Sequence, residues 1–454
     1  MRGKLGAYVR FLRGLPGYLN TPMTFEQARD AVTERLEKRE ANFLSLMRGA
    51  IYENPSSPYL RLLSQAGCDY GDMASGVRRL GLEGFLGSLR AAGVWLSLAE
   101  FKGASPISRG NLQYSCEFED FRNPVFSAGC EMTTGGTTGR SRRTHMDLDF
   151  LTVWATYDHL FFRMLDINGI PLALWYPGLP ASTGIPSSLR YAKLGNPPER
   201  WFEVIPEGGT KVKLEYRLAT ACIVRLSRLS RSPLPRPEPV TIEQVGTVVD
   251  WITDKLRRHG RCVLQSYVSQ AVRVSEAASA KGHSLEGAQF IVGSEPLTEA
   301  KMRVIASGGA KVFPRYCSTE LGAIAIGCGM PREAGEYHLA GDTVAMIQEG
   351  GDGPEQAPFY FTTLLGTAPV VMLNVRMGDS GIVDRRNCGC LMEEVGLTTH
   401  LRRVGRFERV TGEGMTVDRR ELTRVVEEIL PGRYGGSSVD YQWLEDEDEK
   451  SLTR

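Results

Sequence analysis

The sequence predicts an α/β protein in which a large N-terminal domain, made of several subdomains, contains mostly parallel sheets flanked by helices. Segments typical of strands and of helices alternate between about residues 171 and 330. Residues 330–404 are rich in strand-like segments and turns, and residues 417–430 have the period of an amphipathic helix. With 454 residues, the chain is long enough for two or three domains and a large core.

The first 120 residues are predicted to be mainly helical. Residues 24–50 have helical periodicity, and Thr24 is followed three positions later by Gln27, which is the spacing of a capping box. Short helices and turns are expected to alternate over residues 57–100.

A strand, a loop and a helix are predicted next. Residues 123–132 are compatible with a buried strand that leads directly into the loop 133–143, "TTGGTTGRSRR". Residues 147–168 have helical periodicity, and Asp147 is the expected N-cap. The loop would then lie between a strand and a helix, which is where α/β proteins bind phosphates.

The composition of this loop supports two interpretations. Its glycines leave backbone N–H groups free to approach an anion, and its threonine hydroxyls add donors, as in a phosphate-binding loop. The same residue types are also typical of a surface turn. The loop is not a Walker loop, because Thr134 occupies the place of the first glycine and Arg140 replaces the lysine.

The middle of the chain alternates between the two kinds of element. Residues 172–177 and 288–297 are predicted to be strands, whereas residues 241–260 and 297–309 are predicted to be helices. This alternation favours parallel strands joined by helical crossovers. Residues 225–240 are rich in Arg, Ser and Pro and are predicted to be a solvated connection.

The overall composition is that of an ordinary globular protein. The net charge of +1 gives no reason to expect nucleic acid or an anionic membrane as a partner. No apolar run approaches the roughly 18 residues that a membrane span requires. The nine cysteines are an odd number and are dispersed, so they do not suggest a disulfide framework. We therefore expect a cytoplasmic protein.

Four further motifs follow the Gly/Thr loop in a fixed order. They are "VGSEPL" (292–297), "RYCSTELGA" (315–323), "MGDSGIVD" (377–384) and "RVGRFERV" (403–410). In this order and with these spacings, the five motifs resemble those of the adenylate-forming enzymes: acyl-CoA synthetases, peptide-synthetase adenylation domains and luciferases. The segment "AIYENPSSPYLRLLSQAG" (50–67) is similar to the N-terminal segment of the phenylacetate–CoA ligase-like branch. The resemblance spans roughly residues 40–430.

The resemblance implies a division into domains. A large adenylate-forming domain is expected over residues 1–404, with the helical segment 1–120 and a β-rich subdomain over 330–404. A hinge and an incomplete small α+β domain are expected over 405–454. In the family, a longer mobile domain follows the hinge and carries a catalytic lysine. Here the hinge is followed only by Lys450, which lies in the acidic stretch "EDEDEKS" and is not expected to be catalytic.

The resemblance also implies which residues act on the phosphates. The loop residues expected to wrap the triphosphate of ATP are Thr134, Thr137, Thr138 and Gly139. Thr138 is expected in a catalytic role, and Thr319 would bond the α-phosphate. Glu320 would hold Mg²⁺, a hard cation that prefers carboxylate and phosphate oxygens. Arg406 would reach the ribose or the phosphates near the hinge.

Other residues would bind the nucleoside. Tyr316 would stack on adenine, and Asp379 would accept both ribose hydroxyls, because a carboxylate offers only acceptors. The remaining expected nucleotide-binding residues are Gly293, Ser294, Glu295, Cys317 and Ser318. The acyl pocket is less clear from sequence; Trp154, Tyr157 and the segment 175–185 are candidates by position, and their aromatic character suggests a flat or medium-sized acid.

Several positions depart from the family pattern. Gly135 stands where the family has Ser or Thr, and Ser141-Arg142 replaces Pro-Lys after the loop. Cys317 replaces the glycine after the aromatic residue, and Asn374 stands where the branch carries arginine. These changes put substrate range and rate in question more than the fold.

Four residues form a candidate zinc site. Cys328, His338, Cys388 and Cys390 would supply sulfur and imidazole ligands, a set that suits tetrahedral Zn²⁺. Some phenylacetate–CoA ligase-like proteins resemble this pattern. The alternative is two buried thiols, an exposed histidine and a chance Cys-Gly-Cys turn. Four protein ligands would leave no open position, so the metal would be structural.

The resemblance implies an AMP-forming carboxylate ligase of the acid–thiol type. A small carboxylic acid would react with ATP to give an acyl-adenylate and pyrophosphate. The acyl group would then pass to the thiol of CoA, to the phosphopantetheine of an acyl carrier protein, or to an amine. A homodimer is left open. A different class of function is also left open, a non-catalytic scaffold that binds a nucleotide or an acyl-adenylate. The altered loop and the expected short C-terminal domain favour it, and the retained Glu320 and Asp379 oppose it.

Overall fold

The fold is described from a computed structural model. The described residues are 2–126, 129–133, 143–205, 212–348, 357–406, 410–412, 415–417 and 419–442. Among these residues, no helix combines the length and the apolar character needed to cross a membrane.

Helices and strands occur along the whole described chain. The α-helices are α1 (Arg2–Asn20), α2 (Phe25–Glu37), α3 (Arg39–Met47), α4 (Tyr59–Gln65), α5 (Tyr70–Ala91), α6 (Leu98–Phe101), α7 (Leu148–Met164), α8 (Gly184–Lys193), α9 (Leu214–Ser227), α10 (Val245–His259), α11 (Val268–Ala280), α12 (Glu299–Ser307), α13 (Leu391–Glu394), α14 (Arg419–Arg424) and α15 (Leu430–Tyr434). Short π-helices cover Arg48–Tyr52 and Val425–Ile429, and a 3₁₀-helix covers Phe118–Phe121. The strands are β1 (Leu96–Ser97), β2 (Ile107–Arg109), β3 (Leu112–Tyr114), β4 (Cys130–Thr133), β5 (Arg143–Met146), β6 (Leu172–Tyr176), β7 (Arg200–Val204), β8 (Pro237–Val240), β9 (Cys262–Tyr267), β10 (Ala288–Gly293), β11 (Lys311–Ser318), β12 (Gly322–Gly327), β13 (Tyr337–Leu339), β14 (Val344–Gln348), β15 (Pro358–Thr363), β16 (Val375–Arg385), β17 (Thr399–Arg406), β18 (Val410–Gly412) and β19 (Met415–Val417).

One large sheet organises the molecule. Its strand order is β14-β15-β16-β17-β13-β12-β11-β10-β9-β6-β7-β8, and β1 pairs with β16. The strands from β11 to β8 pair in parallel, whereas those from β11 to β14 pair antiparallel. Strand β11 therefore joins a parallel half to an antiparallel half. The predicted α/β fold class is confirmed, while the domain boundaries remain a prediction.

Helices cover both faces of the parallel half. All five residues of β6 are buried, and alternate residues pack on opposite sides. Leu174 belongs to a hydrophobic cluster with residues of α7 and α8, whereas Trp175 belongs to a cluster with residues of α10 and α11. Burial on both faces explains why the sequence of this strand is continuously apolar rather than alternating.

The predicted N-terminal helix is present but divided. Thr24 Oγ1 accepts from the Gln27 N–H at 3.2 Å, and Gln27 Oε1 accepts from the Thr24 N–H at 2.9 Å, which confirms the capping box. The segment is nevertheless not one helix over 24–50. The backbone leaves helical geometry at Lys38, and a second helix, α3, begins at Arg39.

The prediction that the Gly/Thr loop lies between a strand and a helix is wrong. Thr133 pairs with Arg143, so the loop connects the two antiparallel strands of the hairpin β4–β5, and α7 follows β5. In the described residues, the strand predicted over 123–132 begins only at Cys130. The predicted cap of α7 is confirmed, because Asp147 Oδ1 accepts from the Phe150 N–H at 2.8 Å.

The segment 225–240 is a connection only over residues 228–236, most of which are exposed. Helix α9 continues to Ser227, and β8, Pro237–Val240, is the last strand of the sheet. Ser227 and Leu234 are buried. Proline lacks the N–H that a central strand needs, so the two prolines of β8 are compatible only with a strand at the edge.

Glu100 provides a test of the packing between α6 and the β2 strand. Its carboxylate accepts from Arg109 Nη1 and from the Ser97 N–H, both at 2.7 Å, and the residue is 7% exposed. Burial alone would raise the pKa of Glu100, but the hydrogen bonds from Arg109 and Ser97 outweigh it and hold the pKa below the usual 4.5.

Glu100→Gln should therefore lower the free energy of unfolding by about 2 kcal/mol at pH 7, because it leaves a mostly buried guanidinium without its counter-charge. A depressed pKa contributes stability that is present above pH 4.5 and is lost as the pH falls below it. Urea unfolding at pH 7 and pH 4 should show the difference between wild type and variant shrinking at the lower pH. An equal difference at both values would contradict the charge-based explanation.

Candidate functional site

A cavity of about 510 Å³ opens where the parallel and antiparallel halves of the sheet meet. It is lined by every predicted site residue of the nucleotide set that lies in the described chain: Gly293, Ser294, Glu295, Tyr316, Cys317, Ser318, Thr319, Glu320, Asp379 and Arg406. The predicted loop residues Thr134, Thr137, Thr138 and Gly139 lie outside the described residues. Four motifs that are far apart in sequence thus contribute to one cavity. The cavity also lies at the carboxyl ends of β6, β9, β10 and β11, and α/β sheets bind ligands at that end of their parallel strands.

Tyr316 and Asp379 are in direct contact. The Tyr316 hydroxyl donates to Asp379 Oδ2 at 2.5 Å, and Asp379 lies opposite Arg406 in the antiparallel pair β16–β17. Burial raises the pKa of Tyr316 well above its usual value, so this hydroxyl keeps its proton and remains a donor. The contact holds the Asp379 carboxylate at the wall of the cavity.

Glu320 lies in the short turn between β11 and β12. The residue is 4% exposed, and burial raises the pKa of its carboxyl, while a backbone N–H and the charge of Lys102 lower it to a smaller extent. Burial disfavours the charged form of a carboxyl, and a nearby positive charge favours it. A divalent cation that prefers oxygen ligands would supply that charge, so Glu320 fits the predicted role.

Glu295 has a local structural role. Its carboxylate accepts from the N–H and from the hydroxyl of Ser269, at 2.7 and 2.8 Å, near the start of α11. The neighbouring Gly293 and Ser294 also line the cavity. A Cβ at position 293 would lie 3.2 Å from the Arg315 carbonyl oxygen, and Ser294 has a φ of +65°, so this turn closely approaches β11.

The acyl-pocket candidates are only partly supported. Trp154 lines the cavity, and Tyr176, Ala181, Ser182 and Thr183 line it from the segment 175–185. Tyr157 does not line the cavity. Its hydroxyl is buried against Thr343 and Asp342, away from these residues.

Sequence reasoning missed several cavity residues. They are Lys102, Ser187, Arg190, Gln265 and Arg315. Arg315 directly precedes Tyr316, the aromatic residue of its motif, and this position could have identified it as a site residue. The others belong to no motif, and no spacing distinguished them.

The structure shows the surroundings of Asn374 and Cys317, two residues that depart from the family pattern. Asn374 is buried with a φ of +50°, a conformation that asparagine tolerates, and its side-chain amide donates to Leu86 O and Val94 O at 2.9 and 3.1 Å. It therefore ties β16 to the end of α5. Cys317 lines the cavity, and burial raises the pKa of its thiol to about 11, so it is a neutral thiol.

The four candidate zinc ligands are brought together away from these motifs. The Sγ atoms of Cys328, Cys388 and Cys390 and a ring nitrogen of His338 all lie within 4.8 Å of one another. His338 Nε2 is 3.5 Å from Cys388 Sγ and 3.2 Å from Cys390 Sγ. Ligands at 2.0–2.3 Å from a tetrahedral Zn²⁺ lie about 3.5 Å apart, so these distances fit the metal closely.

The surroundings of the cluster also fit a metal. His338 Nδ1 donates to the Leu397 carbonyl at 2.5 Å, which leaves Nε2 as the nitrogen that faces the thiols. The hydrogen bond from the Cys328 thiol and the proximity of His338 lower the pKa of Cys390, which favours the thiolate. The alternative of an exposed histidine is wrong, because His338 is fully buried.

No protein-family model and no curated protein sequence matches this chain. Its fold, however, is similar to that of 2-hydroxyisobutyryl-CoA ligase. A structure of that ligase in the postadenylation state with R3-HIB-AMP gives a TM-score of 0.56 at 14% identity and covers 90% of this chain and 74% of that chain. A second, with 2-HIB-AMP and CoA in the thioesterification state, gives 0.53 at 15% identity with the same coverage. A third, in an open conformation with the same ligands, gives 0.51 at 13% identity and covers 92% and 84% of the two chains.

Proposed function

We propose that this chain, which has the fold of the adenylate-forming enzymes, activates a carboxylic acid with ATP as an acyl-adenylate. The observation that carries the proposal is that four separate motifs converge on one cavity, with Asp379 and Glu320 in it. The ligands of the fold neighbours, an acyl-AMP and CoA, support the same chemistry. Within these enzymes we propose the phenylacetate–CoA ligase-like branch, on the strength of residues 50–67.

In the first step, a carboxylate oxygen of the acid attacks the α-phosphorus of ATP in line with the leaving group. The new bond joins oxygen to phosphorus, and the bond from the α-phosphorus to the bridging oxygen breaks and releases pyrophosphate. Thr319, Arg406 and the loop residues, including Thr138, position the phosphates and stabilise the developing charge. Tyr316 and Asp379 hold the adenosine. No covalent nucleophile of the protein is needed.

Glu320 is the residue that would hold Mg²⁺, and the bound ion would supply neutralisation of phosphate charge. Cys328, His338, Cys388 and Cys390 would hold a structural Zn²⁺, with no part in the reaction. Neither ion is required for the assignment of the nucleotide residues.

In the second step, the acyl group passes from AMP to a thiol, either of CoA or of the phosphopantetheine of a carrier protein; an amine is a further acceptor. We propose that the enzyme works in the cytoplasm, which is supported by nine cysteines that all have free thiols.

The proposal is tested by measuring acid-dependent exchange of pyrophosphate into ATP, with hydroxylamine to trap the acyl-adenylate, over a panel of aryl, short aliphatic, fatty and amino acids. Exchange and hydroxamate formation with one class of acid are expected. Glu320→Ala should abolish both, and Glu286→Ala, at an exposed position, should change neither.

Tight binding of ATP or AMP without exchange for any acid would instead favour the nucleotide-binding scaffold. Absence of both exchange and nucleotide binding would contradict the proposal altogether.

A further inference from the structure

Two arginines share one carboxylate at the wall of the cavity. Arg190 on α8 donates from Nε to Asp158 Oδ2 at 2.6 Å, and Arg315 on β11 donates from Nη1 to Asp158 Oδ1. The side chains of Arg190, Arg315 and Asp158 are 2%, 7% and 1% exposed. Two guanidinium charges face a single negative charge, so this group of three carries a net charge of +1.

The arginines also have donors that the protein does not use. Within the described residues, Arg190 Nη1 and Arg315 Nε and Nη2 have no hydrogen-bond partner. Both guanidinium groups are held over aromatic rings, Arg190 at 3.8 Å from the Trp154 ring centroid and Arg315 at 4.7 Å from that of Phe161. Unused donors on a buried positive charge are unfavourable, and an anion at the cavity wall would satisfy both.

The other charged groups of the cavity do not balance this pair. Among the described residues, the Glu295 carboxylate is bound to Ser269, and Asp379 is bound to Tyr316. Glu320 interacts with Lys102 rather than with either arginine. The excess positive charge at Arg190 and Arg315 is therefore available to a ligand.

The two arginines face away from the residues assigned to the nucleoside. Successive side chains of a strand point to opposite faces, and the contacts of β11 agree: Tyr316 reaches Asp379, whereas Arg315 reaches Asp158. Tyr316 and Asp379, which are assigned to the nucleoside, lie on one side of the strand, whereas Cys317 lies beside Arg315 and Arg190 on the other. Arg190 contacts Trp154 and Ser187 on this other side, and Trp154 is a candidate for the acyl pocket, so a ligand of the arginines would be the acid rather than the nucleoside.

We propose that Arg190 and Arg315 form an anion subsite, and that the acid activated by this protein is a dicarboxylic acid whose second carboxylate binds there. The inference rests on the proposed adenylation. A carboxylate matches the site because its single charge cancels the excess of +1, whereas a phosphate monoester would bring nearly two negative charges. Its two oxygens also suit the fork of a guanidinium.

The test compares each dicarboxylate with its monoamide, which has nearly the same shape but lacks the second charge. Succinate, glutarate and phthalate are paired with succinamate, glutaramate and phthalamate in the exchange assay. In the wild type, we expect kcat/KM for one of the diacids to exceed that for its monoamide by at least about 100-fold, because the amide leaves buried donors poorly paired.

Arg315→Gln should reduce this ratio to below about tenfold, and Arg315→Lys, which keeps the charge, should restore part of it. The diacid and the monoamide are compared within the same variant. A smaller amount of folded protein therefore lowers both values of kcat/KM equally and leaves their ratio unchanged. Arg303→Gln, at an exposed position on α12 where Arg303 pairs with Glu428, should leave the ratio unchanged.

A wild-type enzyme that activates monocarboxylates or monoamides as well as diacids would overturn this inference and leave the proposed function intact. If no acid supports exchange, the proposed function is wrong. The anion subsite is then tested separately, by the effect of each acid on the Tm. A diacid should then raise the Tm of the wild type but not of Arg315→Gln, and its monoamide should raise neither. The absence of a diacid-specific rise in Tm would overturn the subsite.

Discussion

Asp379→Asn should lower kcat/KM for ATP by about 100-fold, which corresponds to about 2.7 kcal/mol of transition-state stabilisation. The variant is nearly isosteric, and the amide oxygen of the new side chain can still accept from the Tyr316 hydroxyl. The amide then presents its N–H₂ group, rather than a second acceptor, to the ribose. Loss of charge-assisted hydrogen bonds to two hydroxyls accounts for an effect of this size. The measurement is the dependence of pyrophosphate exchange on ATP concentration, and the KM for the acid should change little.

Asp384→Asn is the matched control for this substitution. Asp384 lies on the same strand, β16, but it pairs with Arg402 at 2.8 Å and does not line the cavity. It should leave kcat/KM for ATP within about twofold of the wild-type value, since partly exposed ion pairs contribute little. An equal loss in both variants would mean that Asp379 acts through the fold of β16. A normal kcat/KM for ATP in Asp379→Asn would contradict its assignment to the ribose.

The sequence was sufficient to predict the elements with a strong local signal. The alternation between residues 171 and 330 predicted the parallel half of the sheet, because its strands are buried on both faces and its helices have one apolar side. The capping residues Thr24 and Asp147 were predictable, since a cap depends on residues only three positions apart. Elements without such a signal were missed. Strand β5 has four residues, too few for a period to be recognised, and the prolines of β8 are typical of connections.

The candidate site likewise contains residues that the sequence predicted and residues that it did not. Tyr316, Glu320 and Asp379 were predicted because each belongs to a motif, and the resemblance supplied their roles. Arg190 and Arg315 were not predicted as a pair. Their common partner Asp158 lies 32 and 157 positions away in sequence, and no local pattern encodes a contact over such separations. Only the packing of α7 and α8 against β11 brings the three side chains together.

The candidate zinc ligands are an intermediate case. Cys388 and Cys390 attracted notice because two cysteines around one glycine are unusual, whereas Cys328 and His338 were added from the resemblance. The structure brings the four together because β12 pairs with β13, and β13 pairs with β17. Cys328 directly follows β12, and His338 lies on β13. A metal here would therefore fasten the loop before α13 to the antiparallel half of the sheet.

The wild-type protein, purified without added metal, should contain about one zinc ion per chain, and removing the ion with a chelator should lower the Tm by about 5–10 °C. Binding energy at a structural zinc site contributes directly to folding, and several kcal/mol correspond to a shift of this size in a chain of this length. Metal analysis and thermal unfolding, before and after chelation, measure the two quantities. A wild-type protein without stoichiometric zinc would contradict the assignment.

Cys390→Ser should lose zinc and show the lower Tm without any chelator. Cys222→Ser, at an exposed thiol, should retain the zinc and the wild-type Tm.

The location of the cluster also predicts that loss of zinc lowers stability without weakening the binding of ATP. Strand β12 runs from the Glu320 end of the cavity to Cys328 over six residues, which is about 20 Å. Zinc-depleted protein that is kept folded at low temperature should therefore retain the wild-type KM for ATP. A large rise in that KM on zinc removal would show that the metal supports the nucleotide site, and the purely structural assignment would then be wrong.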